Sequence, residues 1–139
     1  MSGTALIFVV IYLIVDLTYV MFSRSAYEGG VKKVTGGLGF PKLRPAAAIL
    51  AYASMAIAWY FLVVPRVDAA VGLLAKIKAA ALYGAIYGLA AYGVFNGTLY
   101  SMFEKYPVGL IYRDLAWGIG WAVTLTCAYG ALTASQRTA

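Results

Sequence analysis

Residues 4–22 read TALIFVVIYLIVDLTYVMF, an apolar run in which Asp16 is the one charged residue. A helix needs about 20 predominantly apolar residues to cross the hydrocarbon core of a bilayer, so this stretch is long enough to span. No basic segment precedes it, no small-residue cleavage pattern follows it, and it contains an acid. It is therefore expected to be a retained transmembrane helix rather than a signal peptide. The acid matters most. A carboxylate inside a spanning helix costs roughly 2.5–3.5 kcal/mol on insertion scales and usually marks a functional position.

Three further runs of similar character follow. The second, residues 45–65, opens at Pro45, whose missing N–H costs nothing in a first helical turn, and is expected to end near Pro65, before Arg66 and Asp68. The third covers residues 71–102, with Lys76 and Lys78 expected to snorkel outward so that its buried part begins near Ala79. The fourth covers residues 107–133. Backbone polar groups in lipid must be satisfied within the segment, which makes these runs helices. The expected fold is all-α: a transmembrane four-helix bundle, with residues 1–139 as a single domain.

Composition agrees with that reading and removes several function classes. The 139-residue chain is 63% hydrophobic and 12% charged, whereas soluble domains run near 45–50% apolar and about 25% charged. The net charge of +6 does not describe a nucleic-acid surface, because no soluble scaffold is present to display a basic stripe. The chain has no histidine, so the commonest general base and the commonest transition-metal ligand are both missing. Cys127 is the one cysteine; it excludes an intrachain disulfide and reads as a small apolar filler. No catalytic triad, metal-ligand spacing or phosphate loop occurs. No metal or cofactor is expected, and an enzyme would have to work with Asp, Tyr and Arg alone.

Between the first two runs lie Arg24, Lys32, Lys33, Lys42 and Arg44, and Lys105 precedes the fourth. The opposite flanks hold Arg66, Lys76, Lys78 and Arg137. The positive-inside rule then favours loops 23–44 and 103–107 on the cytoplasmic side of an integral membrane protein, with both termini outside. In the first loop, Ala26, Tyr27, Val31 and Val34 can face lipid while Arg24, Glu28, Lys32 and Lys33 face water, as in a short interfacial helix. Gly29 and Gly30 oppose that helix, so an irregular loop is an equal reading. Residues 34–40 read as a flexible glycine loop.

Depth brings the candidate site together. Asp16, Tyr52, Asn96 and Asp114 each lie roughly six or seven residues from the loop-one and loop-three side, about 10 Å at 1.5 Å per residue. Spacing agrees with depth. Tyr12, Asp16 and Tyr19 stand at i−4, i and i+3 and share a face. Asp114, Trp117, Gly118, Trp121 and Thr124 form a stripe on the fourth span. Gly84, Gly88, Tyr92 and Asn96 recur every four residues on the third, where small residues permit close helix approach or a dimer seam. Arg113, about 100° around the helix from Asp114, can reach Asp16 across the bundle. Two neighbouring carboxylates repel, so one is expected to hold its proton. The alternative stays open that these polar groups only fasten helices together, at about 0.6 kcal/mol per contact. Trp59, Tyr60, Tyr100 and Tyr106 read as interfacial belt aromatics, and Tyr83 and Tyr87 as packing or hydrogen-bonding residues.

Ala91-Tyr92-Gly93, Thr98, Pro107 and Asp114-Leu115-Ala116-Trp117-Gly118 resemble, at matching spacing, the small predicted membrane proteins grouped as domain of unknown function 2177 (DUF2177). Asp16, Tyr27 and Pro45-Ala46-Ala47-Ala48 fit the first half of that pattern. The family usually has Trp where Tyr19 stands, an acid at Asn96, Asn at Leu99 and Trp at Tyr106. The resemblance implies a four-span membrane protein with a polar cluster and carries no activity with it.

The sequence thus points to a half-buried pocket of Asp16, Tyr19, Tyr52, Asn96, Arg113, Asp114 and Trp117 that binds or relays a proton, small cation or small polar ligand. The rival reading is a non-catalytic accessory or scaffold subunit of a larger membrane complex, and a third is a lipid-modifying enzyme. The bilayer is the expected partner, with a homo-oligomer or other membrane subunits as further options.

Overall fold

The computed structural model describes residues 3–38 and 44–136. The expectations placed on Gly39, Phe40, Lys42 and Arg137 lie outside the described residues. The described residues are helical and contain no strand. Helix α1 is Gly3–Phe22, α2 is Arg24–Val34, and α3 is Pro45–Ala58. A π-helical turn at Trp59–Val63 joins α3 to α4, Val64–Asp68. Helices α5, Leu73–Met102, and α6, Val108–Ser135, complete the bundle. Gly3–Phe22, Pro45–Asp68, Leu73–Met102 and Val108–Ser135 are each long and apolar enough to cross a membrane.

The outer surface requires lipid. Leu6, Ile7, Ile14, Leu50, Phe61, Leu82, Ile86 and Val94 are all at least half exposed. A continuous apolar exterior of this kind is stable only in hydrocarbon. The core is thin by comparison. Ala5, Tyr12, Trp59, Val63, Val67, Ala80, Ala122, Leu125 and Tyr129 form its main cluster.

Helices α5 and α6 make the most extensive interface, and glycine sets their separation. A Cβ on Gly88 would come within 2.6 Å of the Gly118 carbonyl oxygen and 2.7 Å of Ile119 Cα. Gly84 is similarly tight against Ala122 and Thr126. These backbones touch because no side chain separates them, so the seam glycines of the third span are used inside the chain.

The second span runs past its expected end. Pro65 does not stop it, and the helix continues to Asp68. Proline removes a donor and crowds the carbonyl four residues back. The preceding turn widens instead, and the Val64 N–H donates to the Trp59 carbonyl in a π pattern. Trp59 is turned fully inward, donating from Nε1 to Thr126 Oγ1 at 3.0 Å. It is a core residue, not a belt residue. Tyr106 is buried too, while Tyr100 stays half exposed.

Lys76 also departs from expectation. It is 1% exposed and points into the bundle instead of snorkelling out. Asp68 lies 3.6 Å away as its counter-ion, and the Lys76 ammonium donates to Thr133 at 3.2 Å. Tyr129 Oη donates to both Asp68 oxygens at 3.0 Å. An acid on one side and a hydroxyl on the other make inward burial affordable. Lys78 remains exposed.

The first loop is helical where described. α2 ends in a glycine turn: Gly36 and Gly37 have φ of 69° and 108°, and the Gly37 N–H caps the Lys32 carbonyl at 2.8 Å. Its apolar side, with Tyr27, Val31 and Val34, lies along an open crevice shared with Phe95, Leu99, Phe103 and Tyr106. Gly30 rests against Pro107 and Leu110. Loops one and three therefore share one end of the bundle.

Candidate functional site

The polar cluster forms beneath that shared end. Asp16 on α1 is 3% exposed and Asp114 on α6 is 1% exposed. Asp16 Oδ1 accepts hydrogen bonds from Tyr92 Oη and, at 3.1 Å, from Trp117 Nε1. The Tyr52 hydroxyl on α3 lies beside the same carboxylate. Asp114 Oδ1 accepts from Tyr19 at 2.8 Å and from Tyr27 at 2.5 Å. Its Oδ2 faces Asn96 Nδ2 at 3.4 Å.

The arrangement is reciprocal. On α1, Asp16 is followed three residues later by Tyr19; on α6, Asp114 is followed three residues later by Trp117. Each aromatic donates to the other helix's acid. The two rings stack with centroids 4.2 Å apart and planes 6° from parallel. Trp117 continues the stack to Trp121, at 6.3 Å and 17°. Residues i and i+3 on a helix point the same way, so one face of each helix supplies both an acceptor and a donor.

Glycine again admits the contact on the third span. Gly118 lies directly under the Tyr92 ring, and this lets Tyr92 reach across to Asp16. One turn further along α5, Asn96 is 0% exposed and donates to the Tyr92 carbonyl at 3.0 Å. Its Oδ1 accepts no hydrogen bond from the described residues. A buried acceptor without a donor is uncommon.

Arg113 does not reach Asp16. Its guanidinium sits over the rings of Tyr27, at 5.7 Å, and Tyr19, at 6.0 Å. Among the described residues the ion pairs are Glu28–Lys32 and Asp68–Lys76. Among these residues neither central carboxylate contacts a basic nitrogen, and the donors that reach each are neutral.

Of the seven residues expected in the pocket, Tyr19, Tyr52, Asn96 and Trp117 thus surround the two acids, and Arg113 stands behind the aromatic layer. Sequence reasoning passed over three neighbours. Tyr92 shares the Asn96 stripe and was read only as a packing position. Tyr27 was assigned to a lipid-facing side, although its hydroxyl reaches Asp114 from α2. Tyr106 was read as a belt residue. Burial raises the Tyr27 phenol's pKa first, and its hydrogen bond to Asp114 adds to that. Burial does the same to Tyr106, with the Asp114 charge second. Both phenols stay neutral at ordinary pH.

Fold and cluster together define a polytopic α-helical membrane protein with two acids held between its helices. The chain belongs to DUF2177, a family described as predicted membrane proteins, whose profile matches residues 3–133. No curated protein and no solved structure gives a significant match.

Proposed function

We propose that the Asp16–Asp114 cluster is a binding and relay site for a proton or small cation inside the membrane. The observation that carries this reading is charge balance. Two carboxylates, each at most 3% exposed, are surrounded by neutral donors and contact no basic group among the described residues. An uncompensated buried charge is costly in low dielectric. A bound proton or cation removes that cost. The unused Asn96 Oδ1 supports the same reading, since it offers a third oxygen type beside Asp114. All the oxygens here are hard ligands, suited to a proton, a monovalent cation or a small polar ligand carrying donors. Movement across the membrane would require an oligomer, because the chain has no internal repeat.

The site lies on the side of loops 23–44 and 103–107, which the Lys/Arg balance favours as cytoplasmic. A second reading, the accessory or scaffold subunit, draws on α3. That helix buries none of its residues and presents Ala46, Ala47, Ala51, Ala53 and Ser54 outward, a surface suited to a neighbouring helix.

Infrared spectroscopy of the chain in lipid bilayers separates these readings. A proton site shows a protonated carboxyl band that Asp16→Asn or Asp114→Asn removes. A cation site shows a carboxylate band that moves when Na⁺ is replaced by a large organic cation. Carboxylate bands that ignore the cation exchange, with folding retained in both variants, support the scaffold.

A further inference from the structure

A separate groove lies on the outer side of α2, where it crosses the start of α6. It has a volume of about 270 Å³ and is lined by Ala26, Gly29, Lys33, Gly109, Leu110 and Arg113, together with Gly30 and Pro107. Two cations border it and no carboxylate does. Glu28, the nearest acid on α2, is paired with Lys32 at 3.5 Å. Asp114, beside Arg113 in sequence, faces the bundle interior, where Tyr19 and Tyr27 occupy it. Those same two rings lie under the Arg113 guanidinium and hold it at the groove. Gly29 and Gly109 have nothing within 4 Å of where a Cβ would stand, so the groove is open beside them. α6 starts here with neither a side-chain cap nor an acid in its first turn, leaving its positive end uncompensated.

We infer that this groove binds a phosphate-bearing anion, and its position at the membrane surface makes an anionic phospholipid headgroup the source to which it is fitted. Basic pockets between helices at the headgroup level bind phosphate in this way. A guanidinium matches two phosphate oxygens at once, while the lysine adds a mobile point charge. The acyl chains of such a lipid continue along the exposed apolar flank of the bundle. This site is distinct from the carboxylate cluster: it is cationic, open, and read out by lipid binding rather than by protonation.

The test is native mass spectrometry of the full chain in mixed detergent micelles, titrated with phosphatidylglycerol or with phosphatidylcholine. Phosphatidylglycerol should bind first and more tightly. Lys33→Gln, at an exposed position, should weaken it roughly fivefold, the equivalent of about 1 kcal/mol for one surface cation. Gly109→Leu should block it by filling the groove, and Arg113→Gln should weaken it at least as much as Lys33→Gln. Lys78→Gln, at the opposite end, should leave it unchanged. Competition by soluble glycerol phosphate would assign the site to free phosphoanions, and its failure to compete would assign it to lipid; both outcomes keep the anion site. Equal binding of the two lipids overturns it. So does an equal loss in Lys33→Gln and Lys78→Gln, which would mean diffuse charge. Unaltered phosphatidylglycerol binding by a folded Gly109→Leu chain overturns it as well, and if that variant fails to fold, the lysine pair alone decides.

Discussion

Tyr19 and Trp117 stack with centroids 4.2 Å apart, and each donates a hydrogen bond to the acid on its partner's helix. The stack therefore ties α1 to α6 twice, once through ring contact and once through a crossed pair of donors. Both acids depend on the same two rings.

That dependence predicts non-additive energetics. Trp117→Phe keeps the stack but takes one of two donors from Asp16 Oδ1, which Tyr92 still serves, and should cost about 0.5–1.5 kcal/mol, the net range for one hydrogen bond. Tyr19→Phe should cost a similar amount, because Tyr27 still serves Asp114. The double variant should depart from the sum by about 0.5–3 kcal/mol, as residues in one network do. Denaturant unfolding in detergent, followed by helical circular dichroism, measures all three.

Glycine substitutions should separate by position on one helix. Gly88→Ala forces α5 and α6 apart, since the new methyl group meets the Gly118 carbonyl and Ile119 Cα. Overpacking of this kind costs about 1–3 kcal/mol. Gly97→Ala, with nothing within 4 Å, should be neutral or gain up to about 1 kcal/mol of helix propensity. Thermal unfolding of the two variants side by side decides the matter.

At the far end, Lys76→Met should destabilise the chain less than Asp68→Asn does. Removing the acid leaves a fully buried ammonium without its counter-ion, whereas Asp68 keeps partial access to solvent when the lysine is lost. Breaking a buried pair costs about 3–5 kcal/mol, and solvent exposure at Asp68 lowers that figure for the lysine variant. Joining Lys76→Met to Asp68→Asn should recover part of the loss. A Tm series over the four chains shows whether it does.

Alkaline pH should weaken the α2 contact. The Tyr27 phenol is held above its ordinary value, by burial first and then by Asp114. A raised folded value stabilises the protein fully below the unfolded phenol's pKa, near 10, and that contribution is lost as pH climbs beyond it. Tyr27→Phe should flatten the alkaline limb of stability against pH. An unchanged limb would mean that Tyr27 stays protonated equally well in the unfolded chain.

Much of the fold was legible because lipid imposes a simple rule. Long apolar runs must become helices there, and residues 4–22 and 107–133 could be placed by counting alone. Pro65 and Lys76 were misjudged for a related reason. Each breaks a local rule that a neighbour repairs: the π turn at Trp59–Val63 accommodates the proline, and Asp68 balances the lysine. Neither repair leaves a mark on the periodicity.

The amino-acid order by itself determined that four helices are long and apolar enough to cross a bilayer and placed Asp16 and Asp114 toward the same end of their spans, because rise per residue and hydrophobic length are properties of the backbone and the solvent. Only the packed structure decided which donors meet which acid. The crossing of Tyr19 to Asp114 and Trp117 to Asp16, the entry of Tyr27 from α2 and the outward stance of Arg113 depend on how helices rotate about their axes. That rotation is set by contacts such as Gly88 on Gly118, between residues far apart in the chain, and no local pattern encodes it.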